Sequence, residues 1–197
     1  MKREYTKINF FRHAQSISNL EARLSGGADD VPLTELGKNQ ASKSGAAFLG
    51  AKDNLSYIVH SDMIRTSETA AIINSHLNLE MRKDANLREK YFGNLEGMKV
   101  SEFKKLLSHS SKDLYKFVVE HGGEDEAVFV ERVKTTFCNY FNSGELEIAI
   151  VSHGIYGKTA YQIFYGREYN FKNAEHVVFD PASIDVMGIC GFDEYLL

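Results

Sequence analysis

The sequence contains few features of disulfide-rich, metal-binding or membrane proteins. Only two cysteines occur in 197 residues, Cys138 and Cys190, and neither lies in a CxxC or metal-like spacing. We therefore predict buried, reduced thiols in a cytoplasmic protein. No apolar stretch approaches the length of a membrane span, and the N-terminal sequence MKREYTKINFF lacks the features of a signal peptide.

An excess of positive charge is also missing. Lysine and arginine total 23 against 27 aspartates and glutamates, which gives a formal net charge of −4. Binding to a nucleic-acid backbone usually needs a basic face, so this balance argues against nucleic acid as the main partner. A small anionic ligand is compatible with it, because a few well-placed cations can bind one phosphate.

Short apolar runs alternate with helical patterns along the chain. Strands are predicted at residues 8–11, 57–60 and 148–151, with further candidates at 177–179 and 184–190. Thr34 predicts the N-cap of a helix that runs to about residue 49. Helical periodicity predicts further helices from Met63 to Leu77, from Val130 to Phe141 and over residues 155–165. The first three runs are continuously apolar, as in strands covered on both faces. The pattern predicts an α/β fold, a three-layer α/β/α sandwich with a mostly parallel central sheet.

The segment at about 98–123 has a different character. It is polar, has helical patterns and carries no strand signal. It is either a small helical insertion that caps one edge of the sheet or a pair of plain connecting helices. In both cases residues 1–197 form a single domain.

Basic side chains follow each of the three apolar runs. Arg12 and His13 follow the first, Arg65 comes shortly after the second, and His153 and Gly154 follow the third. Ligands of open α/β sheets bind at the carboxyl ends of the strands. An arginine near a helix N-terminus is unfavourable, because the positive end of the helix dipole lies there. An anion that binds both the arginine and the helix N-terminus removes this mismatch. The pattern therefore predicts an anion site at this edge.

Four local sequences around these residues resemble blocks of one family. FFRHAQSISN, SDMIRTSETA, LREKYFGNLEG and VSHG are similar, in order and spacing, to the histidine phosphatase superfamily, also called the phosphoglycerate mutase-like family. The resemblance covers about residues 7–160. One departure is Ala14, where the family usually has glycine after the histidine. The added methyl group is penalised only if φ is positive at this position.

The resemblance implies a catalytic role for five residues. His13 is expected to take the phosphoryl group as a phosphohistidine, and Glu89 to act as general acid and then as base. Arg12, Arg65 and a protonated His153 are expected to bind the phosphoryl oxygens. No metal ion and no cofactor is expected. Glu96 also falls in a family block, and we assign it a structural role.

Three further residues are expected to bind substrate. Asn19 lies six residues after His13, at the position of a family asparagine, and is expected to donate a neutral hydrogen bond. Ser25 is a weaker candidate, and Gly154 belongs to the VSHG block.

The implied activity is metal-independent hydrolysis of a small phosphomonoester, a phosphorylated metabolite. One alternative is a cofactor-dependent phosphoglycerate mutase, which shares these catalytic residues. The segment RLSGGADDVPLT has glycines and aspartates where mutases carry a bulky aromatic residue, which favours the phosphatase. The other alternative is a non-catalytic module that binds a phosphorylated ligand, and Ala14 is its only support. No recognisable motif names the substrate or the oligomeric state.

Overall fold

A computed structural model describes residues 5–110 and 112–191. Residues 1–4 of the N-terminal sequence MKREYTKINFF, Ser111 of the 98–123 segment, and residues 192–197 lie outside the described residues. The described strands are β1 (Lys7–Arg12), β2 (Leu55–His60), β3 (Glu80–Lys83), β4 (Glu147–Ser152) and β5 (His176–Phe179). The described α-helices are α1 (Ile17–Leu20), α2 (Glu35–Phe48), α3 (Ile64–Leu77), α4 (Val100–His109), α5 (Leu114–Glu120), α6 (Glu126–Phe141), α7 (Gly154–Tyr165) and α8 (Val186–Cys190).

The five strands form one sheet in the order β3-β2-β4-β1-β5. Strands β3, β2, β4 and β1 are parallel to their neighbours, and β5 pairs antiparallel with β1 at one edge. The carboxyl ends of β2, β4 and β1 therefore lie side by side. The predicted mostly parallel sheet is confirmed.

Helices cover both faces of the sheet, which explains the continuous apolar runs. Ile148 and Ile150 of β4 pack in a cluster with residues of α6, α7 and α8. Ala149 and Val151 point the other way and pack with residues of α2 and α3. Because successive side chains of a strand alternate between faces, the middle of a strand that is buried on both sides is apolar at every position. The predicted α/β/α layering is confirmed.

Most helix predictions are also confirmed. Thr34 is the N-cap of α2, and its side chain accepts a hydrogen bond from the backbone N–H of Gly37 at 2.9 Å. Helices α3, α6 and α7 occupy the other three predicted positions. The 98–123 segment contains α4 and α5. None of the described helices is long and apolar enough to cross a bilayer.

Two strand assignments differ from the prediction. Residues 184–190 are not a strand, because Asp185 caps α8 by accepting the backbone N–H of Gly188 at 3.0 Å. Strand β3 was not predicted. Its sequence, EMRK, carries no apolar alternation because it lies at the edge of the sheet and is largely exposed.

The prediction of two reduced thiols is wrong. Cys138 of α6 and Cys190 of α8 form a disulfide with their Cα atoms 5.6 Å apart, inside the usual range for such bonds. The two residues are 52 positions apart in sequence, and that spacing carries no information on their distance in space. The bond links the short helix α8 to α6.

We expect removal of this disulfide to lower stability strongly. For a separation of 52 residues, loss of the loop constraint costs about 4 kcal/mol of unfolding free energy, or about 8–16 °C in Tm. Thermal unfolding with and without dithiothreitol measures the effect. The Cys138→Ser/Cys190→Ser variant is the control, because its Tm should not respond to the reductant. An unchanged Tm of the fully reduced wild type would contradict the prediction.

Candidate active site

The predicted residues lie at the shared edge of three neighbouring strands. Arg12 is the last residue of β1, and His13 follows it directly. Arg65 lies in the first turn of α3, after β2, and His153 follows β4 as the N-cap of α7. The ring centroids of His13 and His153 are 5.3 Å apart. One phosphate-sized anion can therefore contact both imidazoles.

The hydrogen bond of His13 decides which of its ring nitrogens is free. Nδ1 lies 2.7 Å from the carbonyl oxygen of Ala14. A carbonyl only accepts, so Nδ1 carries the proton and Nε2 keeps its lone pair. Burial, and then the positive charges of Arg65 and Arg12, hold the pKa of His13 well below its usual value. His13 is therefore neutral, the state in which an imidazole is a nucleophile.

His153 has the opposite tautomer. The Nε–H group of Arg65 donates to its Nδ1 at 3.2 Å, so the proton of the ring lies on Nε2. This Nε2–H group is buried and has no hydrogen-bond partner among the described residues. Burial, followed by the charge of Arg65, lowers the pKa of His153 well below its usual value. In the structure His153 is therefore a neutral hydrogen-bond donor. The protonated His153 expected from the sequence would carry a proton on Nδ1 as well, so Arg65 could no longer donate to that atom.

Arg65 is a buried cation held by neutral groups. Arg65 is only 1% exposed. Nη1 donates to the carbonyl of Asp29 at 2.7 Å and Nη2 to the carbonyl of Gly26 at 2.9 Å. No carboxylate forms an ion pair with it within the described part of the chain. Burial lowers the pKa of Arg65, and the charges of Glu89 and Asp29 offset part of this effect. A buried cation that has no direct ion pair is still costly, so this position favours an anionic ligand.

Glu96 holds the loop that supplies those two carbonyl groups. Its Oε2 accepts the backbone N–H groups of Ala28 and Asp29 at 3.0 and 2.6 Å, and its Oε1 accepts that of Phe92. A Cβ atom at Gly26 would lie 2.2 Å from Oε1 of Glu96, so the close approach needs glycine there. These contacts agree with the structural role expected for Glu96.

Arg12 is oriented by the chain after α7. Its Nη1 donates to the carbonyl of Phe171 at 2.6 Å, while its Nε is buried without a partner among the described residues. A Cβ atom at Gly154 would lie 3.0 Å from this Nε. Glycine at position 154 thus leaves room for the guanidinium group of Arg12 beside the N-terminus of α7.

Glu89 is buried against the same helix terminus. Its Oε2 accepts the backbone N–H of Ile155 at 2.9 Å, and its Oε1 accepts those of Tyr156 and Lys90 at 2.9 and 3.0 Å. Burial raises the pKa of Glu89, while these amides and Arg65 act in the opposite direction. The raised pKa favours the protonated acid, and the amides stabilise the carboxylate once the proton has left.

A cavity of about 330 Å³ is lined by three of the five predicted catalytic residues, Arg12, His13 and Glu89, whereas Arg65 and His153 lie behind this lining. It is lined by Arg12, His13, Asn19, Arg23, Leu24, Ser25, Glu89, Val100, Gly154, Ile155, Lys158, Asn170 and Phe171. Sequence reasoning did not single out Arg23, Lys158 or Asn170. Lys158 lies four residues after Gly154 on α7, and this helical spacing is the signal that could have found it.

Asn19 and Ser25 offer neutral donors to this cavity. The Oδ1 atom of Asn19 accepts from the backbone N–H of Ser16 at 3.2 Å and from Nδ2 of Asn173 at 3.0 Å. The Nδ2–H groups of Asn19 are therefore the donors that this side chain can offer to a ligand. The hydroxyl of Ser25 is buried and has no partner among the described residues.

Ala14, the departure from the family pattern, is not strained. The described non-glycine residues with positive φ are Ala22, Asn78 and Ala174, so the condition for a penalty at Ala14 is not met. Ala14 is fully buried, and its backbone N–H donates to Oγ1 of Thr69 at 3.1 Å.

Comparisons with known proteins find similarity over most of the chain. The chain matches the histidine phosphatase superfamily (branch 1) over residues 8–194. It is 26% identical to a broad-specificity phosphatase of Saccharomyces cerevisiae over 75% of this chain and 65% of that protein. It is 29% identical to phosphoglycerate mutase-like protein 4 of Arabidopsis thaliana over 77% of this chain and 67% of that protein. The chain thus spans about two thirds of the length of these relatives.

A solved structure shares the fold. The phosphoglycerate mutase from Bacillus anthracis superposes with a TM-score of 0.75 at 22% identity, over 95% of this chain and 97% of that one. At this identity the likeness concerns the fold alone.

Proposed function

The chain belongs to the histidine phosphatase superfamily, and from this premise we propose that it hydrolyses a small phosphomonoester through a phosphohistidine on His13, without a metal ion. One observation carries the proposal. A neutral His13 with a free Nε2 lone pair lies beside buried donors that lack partners among the described residues, Nε of Arg12, Nε2 of His153 and the hydroxyl of Ser25. Such fixed donors stabilise the charge that develops on phosphoryl oxygens.

The first step transfers the phosphoryl group to the enzyme. The lone pair on Nε2 of His13 forms a bond to phosphorus while the ester P–O bond breaks. The proton of Glu89 goes to the leaving oxygen, which departs as an alcohol. Arg12 and Arg65 supply positive charge, and His153 donates through its neutral Nε2–H group.

The second step returns the enzyme to its starting state. A water molecule attacks phosphorus, and the carboxylate of Glu89 takes one of its protons. The P–N bond breaks, the electron pair returns to Nε2 of His13, and inorganic phosphate is released. Glu89 is protonated again for the next cycle.

Transfer of the phosphoryl group to a second hydroxyl of a sugar acid is the alternative outcome of the same first step. It is a mutase reaction, and the mutase-like name of the Arabidopsis thaliana relative is its support. The two activities differ in their product. A phosphatase releases inorganic phosphate, whereas a mutase retains it on the organic product.

We expect the protein to hydrolyse p-nitrophenyl phosphate with EDTA present. The cationic groups of the site, Arg12 and Arg65, take the place of a metal ion, so chelation should leave the rate unchanged. Released p-nitrophenolate and inorganic phosphate are both measured. Rapid acid-free quenching of the wild type should trap an acid-labile phosphohistidine. Ligand binding without turnover would overturn the proposal and would indicate a non-catalytic module.

The cytoplasmic location predicted from the sequence stays a prediction. It relied on two reduced thiols, and the Cys138–Cys190 disulfide removes that argument, because mesophilic cytosolic proteins rarely keep such bonds. Fractionation of cells that express the tagged protein tests it.

A further inference from the structure

Arg132 lies on α6 and reaches the segment that carries Glu89. Its Nη1 donates to the carbonyl oxygens of Asn86 and Arg88 at 2.8 and 2.9 Å. These carbonyls belong to the residues just before Glu89. One guanidinium nitrogen thus bridges two points of the backbone that leads into the proposed acid.

The remaining donors of Arg132 act on the other side of Glu89 through a carboxylate. Its Nε and Nη2 donate to Oε1 and Oε2 of Glu124 at 3.0 and 2.8 Å. Glu124 in turn accepts the backbone N–H of Tyr91 on Oε2 at 3.3 Å, and its own N–H donates to the carbonyl of Tyr91 at 2.8 Å. The segment from Asn86 to Tyr91 is therefore held at both ends.

The guanidinium group of Arg132 is itself fixed by packing. Its Cζ atom lies 5.0 Å from the ring centroid of Phe129 and 5.9 Å from that of Tyr156, and both rings belong to fully buried residues. The ion pair with Glu124 is only 20% and 16% exposed on its two side chains. Partial burial and bidentate geometry make this pair more rigid than an exposed one.

We propose that Arg132, together with Glu124, is a positioning residue that sets the place of the Glu89 carboxyl group relative to the leaving oxygen. The inference rests on the proposed function of Glu89 as proton donor. Arg132, Glu124 and Glu89 also line one further cavity, of about 580 Å³. A planar guanidinium can make all four contacts at once, and a lysine ammonium cannot.

Replacement of Arg132 with methionine should slow substrates with poor leaving groups selectively. Misplacing a catalytic group by about 1 Å costs up to ~10²-fold, so we expect a loss of ~10–10²-fold in kcat/KM for glycerol phosphate. The loss for p-nitrophenyl phosphate should be much smaller, because its leaving group hardly needs a proton. Arg82→Met is the matched control. Arg82 also pairs through two nitrogens with a glutamate and lies over a tyrosine ring, but on β3. It should change neither rate.

A double-mutant comparison separates positioning from general destabilisation. In a Glu89→Gln background, Arg132→Met should cause little further change in the ratio of the two rates, because the group that it positions is already gone. Arg132→Lys and Glu124→Gln, which disturb the fold less, should reproduce the selective loss if the methionine variant fails to fold. Equal losses for both substrates in all these variants would overturn the inference. If the single variant Glu89→Gln lost kcat/KM equally for glycerol phosphate and p-nitrophenyl phosphate, the proposed role of Glu89 itself would be overturned.

Discussion

Replacement of His13 with alanine is expected to abolish turnover and to leave the binding of inorganic phosphate largely intact. In the proposed mechanism only the Nε2 lone pair of His13 forms the covalent adduct, and removal of a catalytic nucleophile costs on the order of 10⁴–10⁶-fold. The groups expected to bind the anion are not removed, since Arg65 keeps its hydrogen bonds to His153 and to two backbone carbonyls. Steady-state kinetics and calorimetric titration with inorganic phosphate measure the two effects.

His60 supplies a matched control for this experiment. It also lies at the end of a strand, is 2% exposed, and has its Nδ1 atom 2.7 Å from the carbonyl oxygen of the next residue, Ser61. It does not line the cavity that contains His13. His60→Ala should therefore affect stability rather than the chemical step. An active His13→Ala enzyme, or a phosphorylated residue other than His13 in the quenched wild type, would refute the mechanism.

Replacement of Glu89 with glutamine is expected to separate substrates by their leaving groups. General acid catalysis is worth ~10²–10⁴-fold, so kcat/KM for glycerol or sugar phosphates should fall by about that factor. p-Nitrophenolate is a weak base and hardly needs a proton to depart, so the fall in kcat/KM for p-nitrophenyl phosphate should be much smaller. In the wild type, the rate with alkyl phosphates should fall as the pH rises through the raised pKa of Glu89, and the variant should lack this limb.

The glutamine side chain adds a small cost of its own. Both oxygens of Glu89 accept backbone N–H groups. In glutamine one oxygen is replaced by an NH₂ group, which cannot accept a hydrogen bond from the backbone N–H at that position. This cost is independent of the leaving group, so it does not alter the comparison. Glu96→Gln is a useful control, because Glu96 also accepts several backbone amides but is assigned no proton transfer, and it should slow both substrates alike. Equal losses in Glu89→Gln would send the search for the proton donor to another carboxyl group, with Asp29 the next candidate.

Several parts of the molecule could be predicted because they depend on neighbours in the chain. Thr34 caps α2 through Gly37, three residues away, and the apolar run at residues 148–151 is continuous because that strand has two covered faces. The positions of Arg12, His13 and His153 at strand ends follow from the same runs. Parallel strands all place their carboxyl ends at one edge of the sheet, so the sequence also predicted that these three side chains meet there.

Two of the three errors originate in distance along the chain, and the third, at residues 186–190, concerns a local signal. The partners Cys138 and Cys190 are 52 residues apart, and only the packing of α8 on α6 brings them together. Strand β3 owes its place to pairing with β2 rather than to any apolar pattern of its own. The helix at residues 186–190 begins with the side chain of Asp185, a local signal that outweighed the apolar composition.

The sequence by itself determined the layers, the central strands and the residue types delivered to one edge, because period, caps and strand ends are local properties. Only the tertiary structure decided the chemical states. His13 and His153 are both histidines after strands, yet the carbonyl of Ala14 and the guanidinium of Arg65 give them opposite tautomers. The tautomer of His153, the pKa directions of both histidines and the contacts of Arg132 depend on groups far apart in the chain, and burial among those groups strengthens each interaction.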